Sequence, residues 1–132
     1  HSYSHSFFLP FYQEKKAEEE LAQTNDLLEK ETGVTPTLFR PPHGWKTPRL
    51  LHAAKAQGMN VVLWNDMTTD YFKHAKADKI AKEILENVKP GGIIVLHDGL
   101  NLHTDIDREE TITALQTIIT TLKDQGYTFV TL

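Results

Sequence analysis

Apolar and polar positions alternate along this chain in two different periods, and the switches between them predict a series of helices and strands. Between about residues 12 and 32, Ala17, Leu21, Thr24 and Leu28 fall on one stripe with Glu and Lys opposite, an amphipathic helix. Gly33 is a suitable stop for it. Thr37-Leu38-Phe39 predicts a short strand running into Arg40. Thr47-Pro48 supplies an N-cap followed by proline at the first helical position, and that helix should end at Gly58. Asn60 to Trp64 predicts a buried strand.

A polar loop leads to a helix over Asp78 to Val88, with Ile80, Ile84, Leu85 and Val88 facing inward. Pro90-Gly91-Gly92 breaks it. Gly92 to Leu96 is continuously apolar, as expected of a strand covered on both faces. Asp107 with Glu110 resembles a capping box opening a helix that turns Ile112, Leu115, Ile119 and Leu122 inward. Gly126 closes that helix, and Tyr127 to Leu132 reads as a last strand. Helix–strand units with short connections argue for an α/β fold with a parallel sheet or barrel. Chemistry in such folds gathers at the carboxyl ends of the strands. Arg40 to Trp45, Asn65 to Tyr71 and His97-Asp98 all lie just past a predicted strand.

Composition narrows the classes. The 132 residues, 39% hydrophobic and 24% charged, allow one domain with a modest core. A formal net charge of −4 with no Lys/Arg cluster argues against a nucleic-acid partner. There is no cysteine, hence no disulfide or thiolate ligand, and the longest apolar runs are too short to span a bilayer. The seven histidines are the oddity. His52, His74 and His103 read as surface or packing residues.

The other four fall in chemically suggestive places. His1 and His5 are spaced i, i+4, which on a helical turn puts the rings on one side, roughly 5–6 Å apart at Cβ, within reach of one cation. The same spacing also suits two ordinary polar residues on a turn, and a catalytic zinc usually takes three protein ligands. Arg40-Pro41-Pro42-His43-Gly44-Trp45 is stiffened by two prolines that lack N–H donors, so the N–H groups of His43 and Gly44 are candidates to hold an oxyanion. Arg40 offers a planar fork for a carboxylate, or is simply a surface arginine beside a rigid turn. Trp64 and Tyr71 could floor a sugar site, although Trp64 could equally fill core. His97 follows four apolar residues and could donate a proton to a leaving group if a carboxylate oriented it.

In combination, the order His-x-x-x-His, Arg-x-Pro-x-Gly, Asp70-Tyr71 after a strand and Ile94-Val95-Leu96-His97 closing a strand resembles the polysaccharide deacetylases of the NodB-homology type, carbohydrate esterase family 4. The likeness runs from His1 to the Gly126-Tyr127-Thr128-Phe129-Val130 segment. It implies a partial deformed (β/α) barrel of about four parallel strands and four helices, with residues 1–132 the C-terminal portion of a single such domain. The implied reaction is metal-dependent hydrolysis of N-acetyl or O-acetyl groups on a polysaccharide such as chitin or peptidoglycan, outside the cell or at its surface. By resemblance, His1 and His5 hold a divalent metal, zinc first and cobalt or another as alternatives. Arg40 orients the catalytic base, and the backbone at His43 helps form the oxyanion site. Asp70 holds His97, the general acid, while Trp45, Trp64 and Tyr71 line the substrate groove.

The departures are specific. The family's first-strand Thr-Phe-Asp-Asp segment, whose acids supply the base and the third metal ligand, has no counterpart here. His43 stands where tyrosine is frequent, and Tyr71 where tryptophan is usual. The resemblance therefore implies missing N-terminal βα units as a partner of this chain, and little activity from the chain alone. The other reading is a non-catalytic remnant that binds glycan or metal.

Overall fold

The structure, a computed structural model, describes residues 1–99 and 107–132; His103 lies outside them. The chain divides into two compact units, residues 1–63 and 64–132. Among the described residues there are four α-helices and four two-residue strands, and every strand pair is parallel.

In the first unit, α1 (Glu14–Thr32) packs on α2 (Pro48–Ala56). Leu9, Ala17, Leu21, Phe39, Leu50, Ala53, Ala54 and Met59 form its core. The stripe that begins at Ala17 and Leu21 runs out of cover, because Leu28 is exposed. Gly33 adopts φ 72° and returns its N–H to Glu29 O at 2.8 Å, which ends α1. At α2 the Thr47 hydroxyl accepts the Leu50 N–H at 3.4 Å, the expected cap.

β1 (Leu38–Phe39) lies beside β2 (Asn60–Val61), with Leu38 opposite Asn60 and Phe39 opposite Val61. The strand expected over Asn60 to Trp64 is thus short, and Val61 to Trp64 are half-buried rather than buried. The cause is in the neighbour. After Val62 donates to Phe39 O at 2.9 Å, the chain beside it runs into Pro41 and Pro42, which have no N–H to continue a ladder.

In the second unit, α3 (Ala77–Asn87) packs on α4 (Glu109–Asp124). Ile80, Ala81, Ile84, Ala114, Ile118 and Leu122 make that core. The inward face of α4 is Thr111, Ala114, Ile118 and Leu122, while Ile112 and Leu115 are exposed, which corrects the expected stripe. Leu122 is common to both stripes, while Thr111, Ala114 and Ile118 lie one residue, about 100°, from Ile112, Leu115 and Ile119. The face that packs carries the small residues Thr111 and Ala114.

β3 (Asp66–Met67) pairs with β4 (Ile94–Val95), Asp66 opposite Ile94 and Met67 opposite Val95. β3 falls in the segment read as a polar loop. Its pairing starts from a side chain: the Asn65 N–H donates to Ile93 O, and the Ile93 N–H donates to Asn65 Oδ1, both at 3.0 Å. Tyr127 to Leu132 forms no strand, in contrast to the expectation, and finds no ladder partner among the described residues. No helix among the described residues is long and apolar enough to cross a membrane.

Candidate functional site

The first unit gathers His1, His5, Arg40, His43 and Trp45. The expected helical turn at the histidines does not form: residues 1–6 are irregular, and His5 takes a left-handed φ of 49°. The bend between them is fixed by Ser4, whose N–H and hydroxyl both donate to the Glu20 carboxylate of α1 at 2.9 Å. The rings still meet, with centroids 4.9 Å apart.

His1 Nδ1 lies against the backbone oxygen of Arg40, within hydrogen-bond distance. A carbonyl only accepts, so Nδ1 carries the proton and Nε2 is left with its lone pair. A backbone carbonyl on the second nitrogen is the usual way a metal-binding histidine is oriented. His5 Nδ1 is buried with no hydrogen-bond partner among the described residues. An oriented ring beside one with an orphaned nitrogen fits two ligands of a cation site. No group of three His, Cys, Asp or Glu that could hold a metal occurs among the described residues.

Arg40 therefore contributes its backbone to this cluster. Its side chain is exposed and pairs with no carboxylate among the described residues. The turn at Pro42–Gly44 holds His43 at φ 56°. Gly44 spends its N–H on Pro41 O at 3.0 Å, which removes one of the two expected oxyanion donors. The His43 N–H is the uncommitted donor of the turn among the described residues. The His43 ring sits 4.9 Å from His5. Partial desolvation, then the neighbouring His5 ring, pushes the His43 imidazole below the usual histidine range.

Phe7 was not singled out in the sequence. Its exposed ring lies 5.3 Å from His43 and 6.3 Å from the exposed Trp45, an aromatic ledge next to the histidines. Its only signal was proximity to His5 in an aromatic Phe7-Phe8 pair.

The second unit brings Asp70, Tyr71 and His97 together. The Asp70 side chain is fully buried. Its Oδ1 lies 2.8 Å from His97 Nδ1, and its Oδ2 accepts the His97 backbone N–H at 2.7 Å. The carboxylate makes His97 Nδ1 the donor, so Nε2 is the ring atom left for other partners. Just over a third of the His97 side chain is exposed, 37%. Tyr71 stands edge-on to the His97 ring at 5.1 Å. Trp64 is half-buried and makes no ring contact with Tyr71 or His97.

The backbone of Asp70 is held as firmly as its carboxylate. Its N–H donates to Thr68 Oγ1 at 3.0 Å, and its carbonyl accepts from Arg108 Nη1 at 3.0 Å. Arg108 was also not singled out, because nothing local in the Asp107-Arg108-Glu109-Glu110 run distinguishes it from a solvated charge cluster.

The fold is α/β with parallel strand pairs, and comparisons with known proteins say what the chain resembles. The polysaccharide deacetylase family model matches residues 1–62. A peptidoglycan-N-acetylglucosamine deacetylase of Bacillus cereus is 38% identical over 97 residues, 73% of this chain and 43% of that protein. A second from the same organism is 34% identical across 100% of this chain and 46% of its own length. The solved structure of the Bc1960 peptidoglycan N-acetylglucosamine deacetylase superposes with a TM-score of 0.86 at 32% identity, covering 100% of this chain and 59% of that one. A mutant of BA3943, described as a CE4 family pseudoenzyme with restored enzymatic activity, gives 0.83 at 28% identity over 96% of this chain and 43% of that one. The chain belongs to the polysaccharide deacetylase family, carbohydrate esterase family 4. It spans about half the length of the proteins it matches.

Proposed function

We propose that this chain is the C-terminal portion of a single deacetylase domain that hydrolyses N-acetyl or O-acetyl groups on an extracellular or cell-surface polysaccharide such as peptidoglycan or chitin. The observation that carries the reading is the Asp70–His97 pair past β4, with Nδ1 committed to a buried carboxylate and Nε2 free to exchange a proton. A histidine held in this way suits protonation of a departing amine, the harder half of amide cleavage near neutral pH.

His1 and His5 would hold a divalent cation, zinc first, with an acidic residue of an upstream segment as third ligand and another as the base. When bound, such a cation supplies Lewis acidity toward water and the acyl oxygen. The His43 N–H would donate to the oxygen on which negative charge develops. His97 would pass its Nε2 proton to the leaving nitrogen, while Asp70 balances the charge on the ring. Trp45, Trp64 and Tyr71 would carry the apolar faces of the sugars, and Arg40 would orient the upstream base with its exposed fork.

The test is acetate release from chitooligosaccharide and from peptidoglycan by the protein that carries this chain, set beside residues 1–132 alone. The expected result is acetate from the former and little from the latter. Failure of both, on either polymer and with zinc supplied, contradicts the proposal. It would favour a second reading, a glycan- or metal-binding member without turnover. That reading is supported by the likeness to a solved CE4 family pseudoenzyme.

A further inference from the structure

Arg108 immediately precedes α4 and has no part in the acid–base reading given above. Its guanidinium donates from Nη1 to the Asp70 carbonyl at 3.0 Å and from Nη2 to the Gly99 carbonyl at 2.7 Å. The two acceptors lie on different segments. Asp70 belongs to the loop after β3, and Gly99 lies two residues beyond His97 in the segment after β4. One planar group therefore spans the two pieces of backbone that must stay in register for the Asp70–His97 bond to exist.

The tolerance of that register is small. Asp70 accepts both the His97 ring and the His97 backbone N–H, so a slide of either segment breaks two bonds together. Thr111, in the first turn of α4, approaches Asp70 Oδ2 at 3.5 Å, too far to hold the carboxylate alone. Charged donors make stronger bonds to carbonyls than neutral ones do. A rigid fork fixes the spacing between two acceptors, which a lysine point charge does not.

We propose that Arg108 is a positioning residue that clamps the segments after β3 and β4, keeping His97 Nδ1–H on Asp70 and Nε2 in its working direction. The inference rests on the acid–base reading of that pair only for its effect on catalysis; the clamp itself has a separate readout.

That readout is the side-chain Nδ1–H proton of His97, followed by NMR in histidine-labelled protein carrying this chain. Held on a buried carboxylate, it should exchange slowly and be resolved, and Asp70→Ala should identify it by abolishing it. Arg108→Met keeps the apolar stem and loses the fork. It should broaden or remove the signal while circular dichroism still shows a folded protein, and kcat should fall by about 10- to 100-fold, the cost of a small misplacement. Arg108→Lys should restore the signal only in part, and it decides the matter if the methionine variant does not fold. An unchanged His97 signal in Arg108→Met, or full restoration by lysine, overturns the clamp. If the signal is lost in Arg108→Met while His97→Ala leaves acetate release intact, the clamp stands and the acid–base reading falls.

Discussion

Asp70 is a carboxylate without solvent, and a buried charge persists only where protein donors replace water. Two of those donors belong to His97, which makes the pair one unit. Asp70→Asn keeps the shape but removes the charge and the constraint on the tautomer. In the protein carrying this chain it should lower kcat by roughly 10³- to 10⁴-fold, by analogy with the same exchange in hydrolytic triads. A loss below tenfold in an acetate-release assay contradicts the role. His5→Ala should weaken zinc binding, measured calorimetrically, by about 100-fold or more, since loss of an outer partner alone costs up to that. Unchanged zinc affinity would remove His5 from the proposed metal site. Sequence spacing was enough to suggest His1 with His5, and the family resemblance suggested Asp70 with His97, because each residue lies in a short motif. It was silent on Phe7, and on Arg108, whose bond to Asp70 joins residues 38 apart in the chain. It also overcounted oxyanion donors, since hydrogen bonding inside the turn at Gly44 leaves no trace in spacing.

Glu110 shows how an element can be capped by its neighbour. The expected capping box is only half made: Asp107 accepts the Glu109 N–H at 2.8 Å, but Glu110 reaches across to α3. There it accepts the Ala77 N–H at 2.8 Å and pairs with Lys76 at 2.7 Å, at a helix start that has no side-chain cap of its own. The Lys76 bond, then the Ala77 N–H, holds the Glu110 carboxyl below the usual glutamate range. A lowered carboxyl pKa contributes stability that is complete above the unfolded value and is lost as pH falls through the folded one. Glu110→Gln should therefore melt below the wild type at neutral pH, and the gap should close on acidification past the ordinary glutamate range. Parallel melting-temperature profiles would show that the cap does not bridge α3 and α4 in solution. The helices themselves were legible to within a few residues at their ends, because their periodicity and the Thr47-Pro48 and Gly33 signals are local. The strands were less so. β3 is hidden by its polar residues, and the apolar pattern of Tyr127 to Leu132 does not by itself supply a partner to pair with.

For the whole molecule, the α/β class with parallel strands was legible in the alternation of elements, and the family was legible in the order of its motifs. The division into two compact units was not, since no linker or shift in composition marks Leu63. The family model stops at residue 62, while the relatives and solved structures extend the likeness over the second unit, where Asp70 and His97 lie. On the proposed reading an acidic segment outside these 132 residues supplies the third ligand and the base, so the activity of residues 1–132 alone should stay near background with zinc present. Acetate release from this chain at the rate of the longer protein would show that no such segment is needed.

The most direct measurement is steady-state deacetylation of chitooligosaccharide by the protein carrying this chain, before and after His97→Ala. Turnover (kcat) should fall by about 10²- to 10⁴-fold while zinc content is unchanged, the signature of a lost proton donor. A variant that releases acetate as fast as the wild type would contradict it.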